Sequence, residues 1–264
     1  MIYFTGMDNS LIKENRAYWL QRAAGYSEVN KEELSGVQRS NWTSFLTNEI
    51  SKAFPEKEPS EISIIDIGAG PGFISIILAE AGYKVTAFDF ADTMLEEAKA
   101  NAKDLAERIQ FIQGDAMDTS LAPESYDVVI SRNLTWNLPR PDNAYIEWLR
   151  ILKKNGLMMV FDANWYRYLV DEDKKAAYEA DRQNVAQEGY GDYNIGENFD
   201  QMEIIASQMP LTKMIRPEWD KQFLTENHAG QVFVQEDVGS ILYSQKELIN
   251  YKSTPMFMVK VIKE

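Results

Sequence analysis

Residues 62–73, Ile-Ser-Ile-Ile-Asp-Ile-Gly-Ala-Gly-Pro-Gly-Phe, limit the folds open to this chain more than any other stretch. The first half is β-branched at Ile62, Ile64, Ile65 and Ile67, the composition of a strand buried on both faces. The pattern breaks at Gly68, Gly70, Pro71 and Gly72, then resumes as a helix-length apolar run over 73–81 that Gly82 can cap. The stretch therefore predicts strand, glycine turn and helix, with Asp66 on the last turn of the strand. Glycines there let the backbone come close to a ligand, and the unpaired N–H groups of the helix start face it.

The same alternation continues. Residues 83–89 read as a second strand ending in Asp89, about 20 residues past the glycine turn, where an acid meets a ribose hydroxyl pair. A carboxylate can accept a hydrogen bond from each of two vicinal hydroxyls. Thr93 to Glu96 has the spacing of a capping box, so a helix is expected to follow it. Residues 109–117 read as a third strand running into a turn, and 126–131 as a fourth. Residues 141–154 fit a helix with a basic last turn, and 157–162 a fifth strand. Such an alternation means a doubly wound parallel sheet, and its ligand crevice lies at the carboxyl ends of the strands. Asn133 and Trp136, just past strand four, are expected at that crevice. Two closing strands are expected at 230–235 and 255–262.

A dinucleotide fingerprint starting at Gly68 would need glycine at position 73, which is Phe73. What stands there is Asp66-x-Gly68-x-Gly70-x-Gly72. It is followed by an acid ending strand two, Gly114-Asp115 after strand three and Leu152-Lys-x-x-Gly156 before strand five. In that order the signals resemble the core of class I S-adenosylmethionine-dependent methyltransferases over about residues 60–162, most closely the ubiquinone/menaquinone-type small-molecule branch. The resemblance implies a seven-stranded, mostly parallel Rossmann-like sheet with the last strand antiparallel. It implies S-adenosyl-L-methionine as cofactor, held by Tyr26, Asp66, Gly68, Ala69, Gly70, Asp89, Phe90, Met94, Gly114, Asp115, Ala116, Met117 and Asn133. Within that set Met94 would pack on the adenine, Asp115 would approach its amino group, and backbone N–H groups of Ala116 or Met117 would lie beside the ring. Plain core packing is the competing role for Met94, and a turn aspartate for Asp115. Residues 18–26 resemble the N-terminal segment of small-molecule methyltransferases, where a tyrosine or tryptophan closes over the cofactor; a helix packed on the core is the alternative.

Domain organisation follows. Residues 1–58 are expected to form an N-terminal helical cap, with Trp42, Phe45, Leu46, Ile50 and Phe54 at helical spacing, and 59–264 the methyltransferase domain. A largely helical insertion at about 164–228, containing the aromatic loop 189–196, is expected to be a lid. The tentative acceptor-binding set is Tyr18, Trp136, Trp165, Tyr166, Tyr168, Tyr190, Tyr193 and His228. Asp162, Tyr166, Tyr168 and His228 are candidate bases or anchors. No fixed catalytic group is expected, because a sulfonium leaving group is already activated and positioning carries the reaction.

Composition narrows the chemistry. The 264 residues contain no cysteine and one histidine, which excludes disulfides, thiolate zinc sites and cysteine nucleophiles and leaves no metal site to expect. A formal charge of -14 argues against nucleic acid and anionic membrane as partners. The N-terminus lacks a basic segment followed by an apolar core, so a cytoplasmic enzyme acting on a small molecule is expected. The acceptor atom is expected to be nitrogen or oxygen, with an amine favoured by aromatic faces. Two alternatives stay open: a non-catalytic S-adenosylmethionine-binding regulatory protein, and an NAD(P)-dependent oxidoreductase, against which Phe73 and Asp66 count.

Overall fold

The computed structural model describes residues 9–194 and 199–264. The expectations for the first eight residues, and for Ile195 and Gly196 of the aromatic loop, lie outside the described residues. Two helices open the chain, α1 (Asn9–Ser35) and α2 (Val37–Ala53). The alternating core follows: β1 (Ser63–Ile67), α3 (Phe73–Glu80), β2 (Lys84–Asp89), α4 (Asp92–Ala102), β3 (Ile109–Gln113), β4 (Tyr126–Arg132), α5 (Pro141–Ile151) and β5 (Leu152–Asp162). Three helices come next, α6 (Glu172–Gln187), α7 (Phe199–Gln208) and α8 (Glu218–Glu226). Then come β6 (Gln231–Gln235), the short helices α9 (Gly239–Leu242) and α10 (Gln245–Asn250), and β7 (Phe257–Ile262).

The strands form one seven-stranded sheet in the order β3-β2-β1-β4-β5-β7-β6. Neighbours are parallel except at β7, which runs antiparallel to both β5 and β6. The doubly wound, mostly parallel sheet expected from the sequence is the observed one. Strand order reverses between β1 and β4, and that switch point opens a crevice at their carboxyl ends.

Side-chain alternation explains the two layers. Ile64 of β1 and Leu157, Met159 and Phe161 of β5 face a core shared with Trp42, Leu46 and Ile50 of α2. Ile65, Ile67, Met158 and Val160 point to the opposite face, against Tyr145 and Trp148 of α5. All of β1 from Ile64 to Ile67 is buried, as its β-branched composition requires.

Local expectations fail at three places. Helix α5 ends at Ile151, and Lys153 belongs to β5, where its Nζ donates to Asp127 at 2.8 Å beside a register break between Tyr126 and Val128. The capping box at Thr93 does not form: α4 starts at Asp92 behind Ala91, with no side-chain cap. The Thr93 hydroxyl instead donates to the Leu20 carbonyl of α1 at 3.4 Å, so it serves the α1–α4 contact. Helices α9 and α10 were not anticipated, although Ser244-x-x-Glu247 forms the reciprocal capping box that starts α10.

Candidate active site

The glycine turn is built as its composition demands. Gly68, Gly70 and Gly72 take φ of +74°, +52° and +94°, a left-handed run that a side chain would strain. Asp89, at the end of β2, fixes the turn from the side. One carboxylate oxygen accepts the Gly70 N–H at 2.9 Å and the other accepts the Ala91 N–H at 2.9 Å. Burial pushes the Asp89 carboxyl up to about 6, although backbone N–H groups of Ala91, Gly70 and Phe90 pull it down. Asp66 lies deeper. It accepts the Ser75 hydroxyl of α3 at 2.6 Å, and burial raises it to about 7. Asp66 therefore ties strand to helix under the turn and lines none of the cavities above it.

Four cavities that share wall residues occupy the crevice. The first, about 370 Å³, has Asp89, Phe90, Gly114, Asp115, Ala116 and Met117 on one side and Leu134 and Leu138 on the other. Ile12, Asn15 and Arg16 of α1 roof it. The second, about 60 Å³, sits directly on Gly68 and Gly70 between Tyr26, Met94 and Asn133. A Cβ at Gly70 would stand 3.8 Å from the Tyr26 ring, so the missing side chain leaves the space between turn and tyrosine. The third, about 170 Å³, is aromatic, with Tyr18, Trp136, Trp165, Tyr166 and Tyr193 around Arg22. The fourth, about 130 Å³, is polar, between Glu33 and Gln38 of the N-terminal helices, Arg132 at the end of β4, and Tyr243 and Glu247 around the start of α10. Tyr26 and Asn133 border the second, third and fourth alike.

Most of the residues singled out in the sequence meet at these cavities, and a few do not. Ala69 contributes only backbone to the turn, its N–H donating to the Phe88 carbonyl at 3.1 Å. The Met117 N–H is already taken by Asp115 at 2.8 Å. Tyr168 faces away: its ring stacks on Tyr178 at 3.9 Å, its hydroxyl donates to Glu203 at 2.7 Å, and it lines a separate cavity of about 190 Å³. Tyr190 is exposed after α6, and His228 is exposed in the turn from α8 to β6, so neither reaches the crevice. Asp162 is completely buried. It accepts from the Trp136 N–H at 2.9 Å, the Trp165 indole at 3.0 Å and Arg216 at 2.8 Å, and it also receives the Thr135 hydroxyl. Its oxygens are committed to holding Trp136 and Trp165, so it is no base. Burial also pushes Tyr18 and Tyr166 further from ionisation.

Residues 65–160 match the family model described as a methyltransferase domain. These residues are a methyltransferase domain. Curated relatives over the same region include a demethylmenaquinone methyltransferase of Renibacterium salmoninarum, 32% identical over 133 residues, covering 50% of this chain and 52% of the relative. A ubiquinone/menaquinone biosynthesis C-methyltransferase of Roseobacter denitrificans is 33% identical over 103 residues, 38% of this chain and 41% of that protein. The chain thus spans about half the length, or less, of these relatives. Among solved structures, a Methanococcus maripaludis protein assigned to the S-adenosylmethionine-dependent methyltransferases superposes with a TM-score of 0.56 at 22% identity, covering 92% of this chain and 93% of that one. Haemonchus contortus phosphoethanolamine N-methyltransferase 2, solved with S-adenosyl-L-methionine, gives 0.54 at 17% identity over 81% and 51% of the two chains. At such identities the likeness is one of fold, and it extends well beyond the matched methyltransferase domain. Outside that domain lie Tyr26, Arg22, Glu33, Tyr243 and Glu247, which the crevice nevertheless uses.

Proposed function

We propose that the chain binds S-adenosyl-L-methionine along the first two cavities and methylates a small molecule held in the aromatic third. The observation that carries this is the sequence of neighbouring cavities that share wall residues, from Asp89, past the bare backbone of Gly70, to the Tyr-Trp chamber. The residues fit the cofactor. The first cavity has apolar walls for a flat base at Phe90, Met117, Leu134 and Leu138, and each Asp89 oxygen keeps a lone pair for a ribose hydroxyl. Met94 and Tyr26 border the narrow second cavity, where the sulfonium end would lie.

When bound, S-adenosylmethionine supplies a methyl carbon that an acceptor lone pair can take in line as the carbon–sulfur bond breaks and a neutral thioether leaves. The chain's own part is to align and to dry the site. Helix α1 roofs the first cavity, and Trp136, held through its N–H by Asp162 and through its indole by the Asn133 carbonyl at 3.0 Å, walls the third. With Tyr18 and Tyr166 kept protonated, the chamber offers hydrogen bonds rather than a strong base, which suits a nitrogen or oxygen acceptor that is already nucleophilic. In this reading residues 1–58 act as a cap and about 164–228 as a lid. The reaction is cytoplasmic, and the acidic chain has no nucleic-acid partner.

Calorimetric titration with S-adenosylhomocysteine, with NADH as control, tests it. Micromolar binding of the homocysteine compound that Asp89→Ala abolishes supports the proposal. Binding of NADH alone would overturn it in favour of the oxidoreductase alternative.

A further inference from the structure

Four buried side-chain atoms on the wall of the narrow second cavity have no hydrogen-bond partner: Trp19 Nε1, Arg132 Nε, Asn133 Oδ1 and Asn137 Oδ1. Unpaired buried polar groups are costly, and in a cavity wall they mark what a ligand would satisfy. Three of the four also border a cavity that one end of the cofactor would fill. Asn137 lines the first, beside the proposed base and ribose. Arg132 and Asn133 line the polar fourth, where the cofactor's carboxylate and ammonium would continue past Tyr26 and give both a partner. Trp19 lines neither of these. Its other cavity is the aromatic third.

The indole N–H therefore stands at the boundary between sulfonium and acceptor. T-shaped contacts with Tyr18 and Tyr26, at 5.4 and 5.8 Å between ring centres, and packing against Ala23, Ala91 and Met94 fix the ring there. A sulfonium is cationic and a poor partner for an N–H, so the acceptor has to supply the lone pair. That demand selects the acceptor atom. An amine nitrogen has one lone pair and spends it on the methyl carbon; a carbon nucleophile has none to spare. An oxyanion attacks with one pair and still receives the N–H on another. The rest of the wall agrees. Arg22 is the one charged side chain described on the third cavity, and it has no counter-ion among the described residues. No carboxylate or imidazole among the described residues lines that cavity to take a proton, so an acceptor hydroxyl must arrive already ionised.

We propose that Trp19 donates its indole N–H to the acceptor oxygen, and that the acceptor is an acidic hydroxyl compound, a phenol or enol bound as its oxyanion. The proposal rests on the methyltransferase reading and narrows its nitrogen-or-oxygen acceptor to oxygen. In the step, an oxygen lone pair forms the bond to the methyl carbon while the carbon–sulfur pair leaves on sulfur. Oxyanion and sulfonium become a neutral ether and a neutral thioether, and no proton moves.

Protein saturated with S-adenosylhomocysteine is titrated by calorimetry with para-nitrophenol and para-cyanophenol, and with the isosteric para-nitroaniline and para-cyanoaniline. The proposal expects the ionised phenols to bind about tenfold tighter than the anilines or better, with affinity rising through each phenol's own pKa. Trp19→Phe keeps an aromatic ring and removes the N–H. It should weaken the phenolates about tenfold and leave the anilines and S-adenosylhomocysteine within about twofold. Absence of phenolate binding to the loaded protein overturns the proposal, as does equal binding of phenol and aniline or unchanged phenolate affinity in Trp19→Phe. Transfer of a labelled methyl group from S-adenosylmethionine to an aniline rather than to a phenol would overturn it too. Loss of S-adenosylhomocysteine affinity in Trp19→Phe would assign the N–H to the cofactor and overturn it as well. If S-adenosylhomocysteine fails to bind even the unaltered protein, the methyltransferase reading falls and takes this proposal with it.

Discussion

The two halves of the crevice are built by different means. On the β1–β2–β3 side the walls come from one stretch, residues 68–117, and much of the surface is backbone: a left-handed glycine turn, a strand-end carboxylate and a turn after β3. On the other side the walls are side chains brought together from α1, the segment after β4, the segment after β5 and the start of α10. A site made of backbone is fixed by turn chemistry within a few residues. A site made of distant side chains depends on tertiary anchors, and those anchors are where it can be broken.

The strongest anchor is Arg216. Its side chain is 1% exposed and lies between Asp162 and Asp220, both fully buried, at 2.8 and 2.6 Å. It joins the end of β5 to α8 and so holds the helices that follow β5 against the sheet. Arg216→Met would leave two carboxylates buried without their cation, and a loss of about 3–5 kcal/mol is expected in denaturant unfolding. Replacing Asp162 and Asp220 by Asn in the same chain should recover much of it, because the uncompensated charge then disappears. If Arg216→Met instead unfolded in two steps, with the sheet surviving the first, the two halves would be separate cooperative units.

On the backbone side the largest effect belongs to Asp89. Asp89→Ala strips the Gly70 and Ala91 N–H groups of their acceptor and removes the proposed ribose contact. S-adenosylhomocysteine affinity should fall on the order of a hundredfold by calorimetry, with a smaller change in stability than Arg216→Met. A loss confined to stability would mean that Asp89 only braces the turn.

The contrast between the halves also explains what the sequence could tell. β1, the glycine turn, Asp89 and the turn at Gly114 were legible because local rules write them: β-branched runs, positive-φ glycines, an acid at a strand end. Arg22, Glu33, Arg132, Tyr243 and Glu247 were not, since nothing near them in the chain says that α1 and α10 meet at the end of β4. The one available signal was the capping box Ser244-x-x-Glu247, which would have placed α10 but not its neighbours. Conversely, aromatic composition brought Tyr168 and Tyr190 into the expected acceptor site, and His228 was expected there as a candidate base or anchor; the fold turns all three elsewhere. The capping box at Thr93 failed because α4 starts at Asp92, one residue earlier, which puts Thr93 inside the first turn rather than at the cap.

A smaller effect tests the side-chain half directly. Tyr193 borders both the aromatic and the polar cavities, stacked on Tyr251 and lying under Lys246 at 4.3 Å. Tyr193→Ala should raise the KM for the acceptor about tenfold, the scale of one aromatic contact with its buried area, and leave S-adenosylhomocysteine affinity unchanged. An equal loss for both ligands would show that the two halves are coupled through this ring.

The smallest expected effect is a pH dependence of opposite sign for folding and for binding. Burial lifts Asp66 to about 7 and Asp89 to about 6, both above the ordinary aspartate value of 3.8. Between those limits the folded chain holds more protons than the unfolded one, so their contribution to stability is complete below about pH 4 and is lost as pH rises through 6 to 7. Asp66→Asn cannot ionise, and its melting temperature should therefore vary less with pH across that interval than that of the unaltered protein. Binding runs the other way: ionised Asp89 can accept from two ribose hydroxyls, and its protonation below about pH 6 takes one acceptor away. S-adenosylhomocysteine affinity should fall a few-fold as pH drops through that value, equally in Asp66→Asn and in the unaltered protein. If Asp66→Asn removed the pH dependence of binding as well, the carboxylate under the turn would be governing the ligand through the turn itself, and the backbone half would be less rigid than its geometry implies.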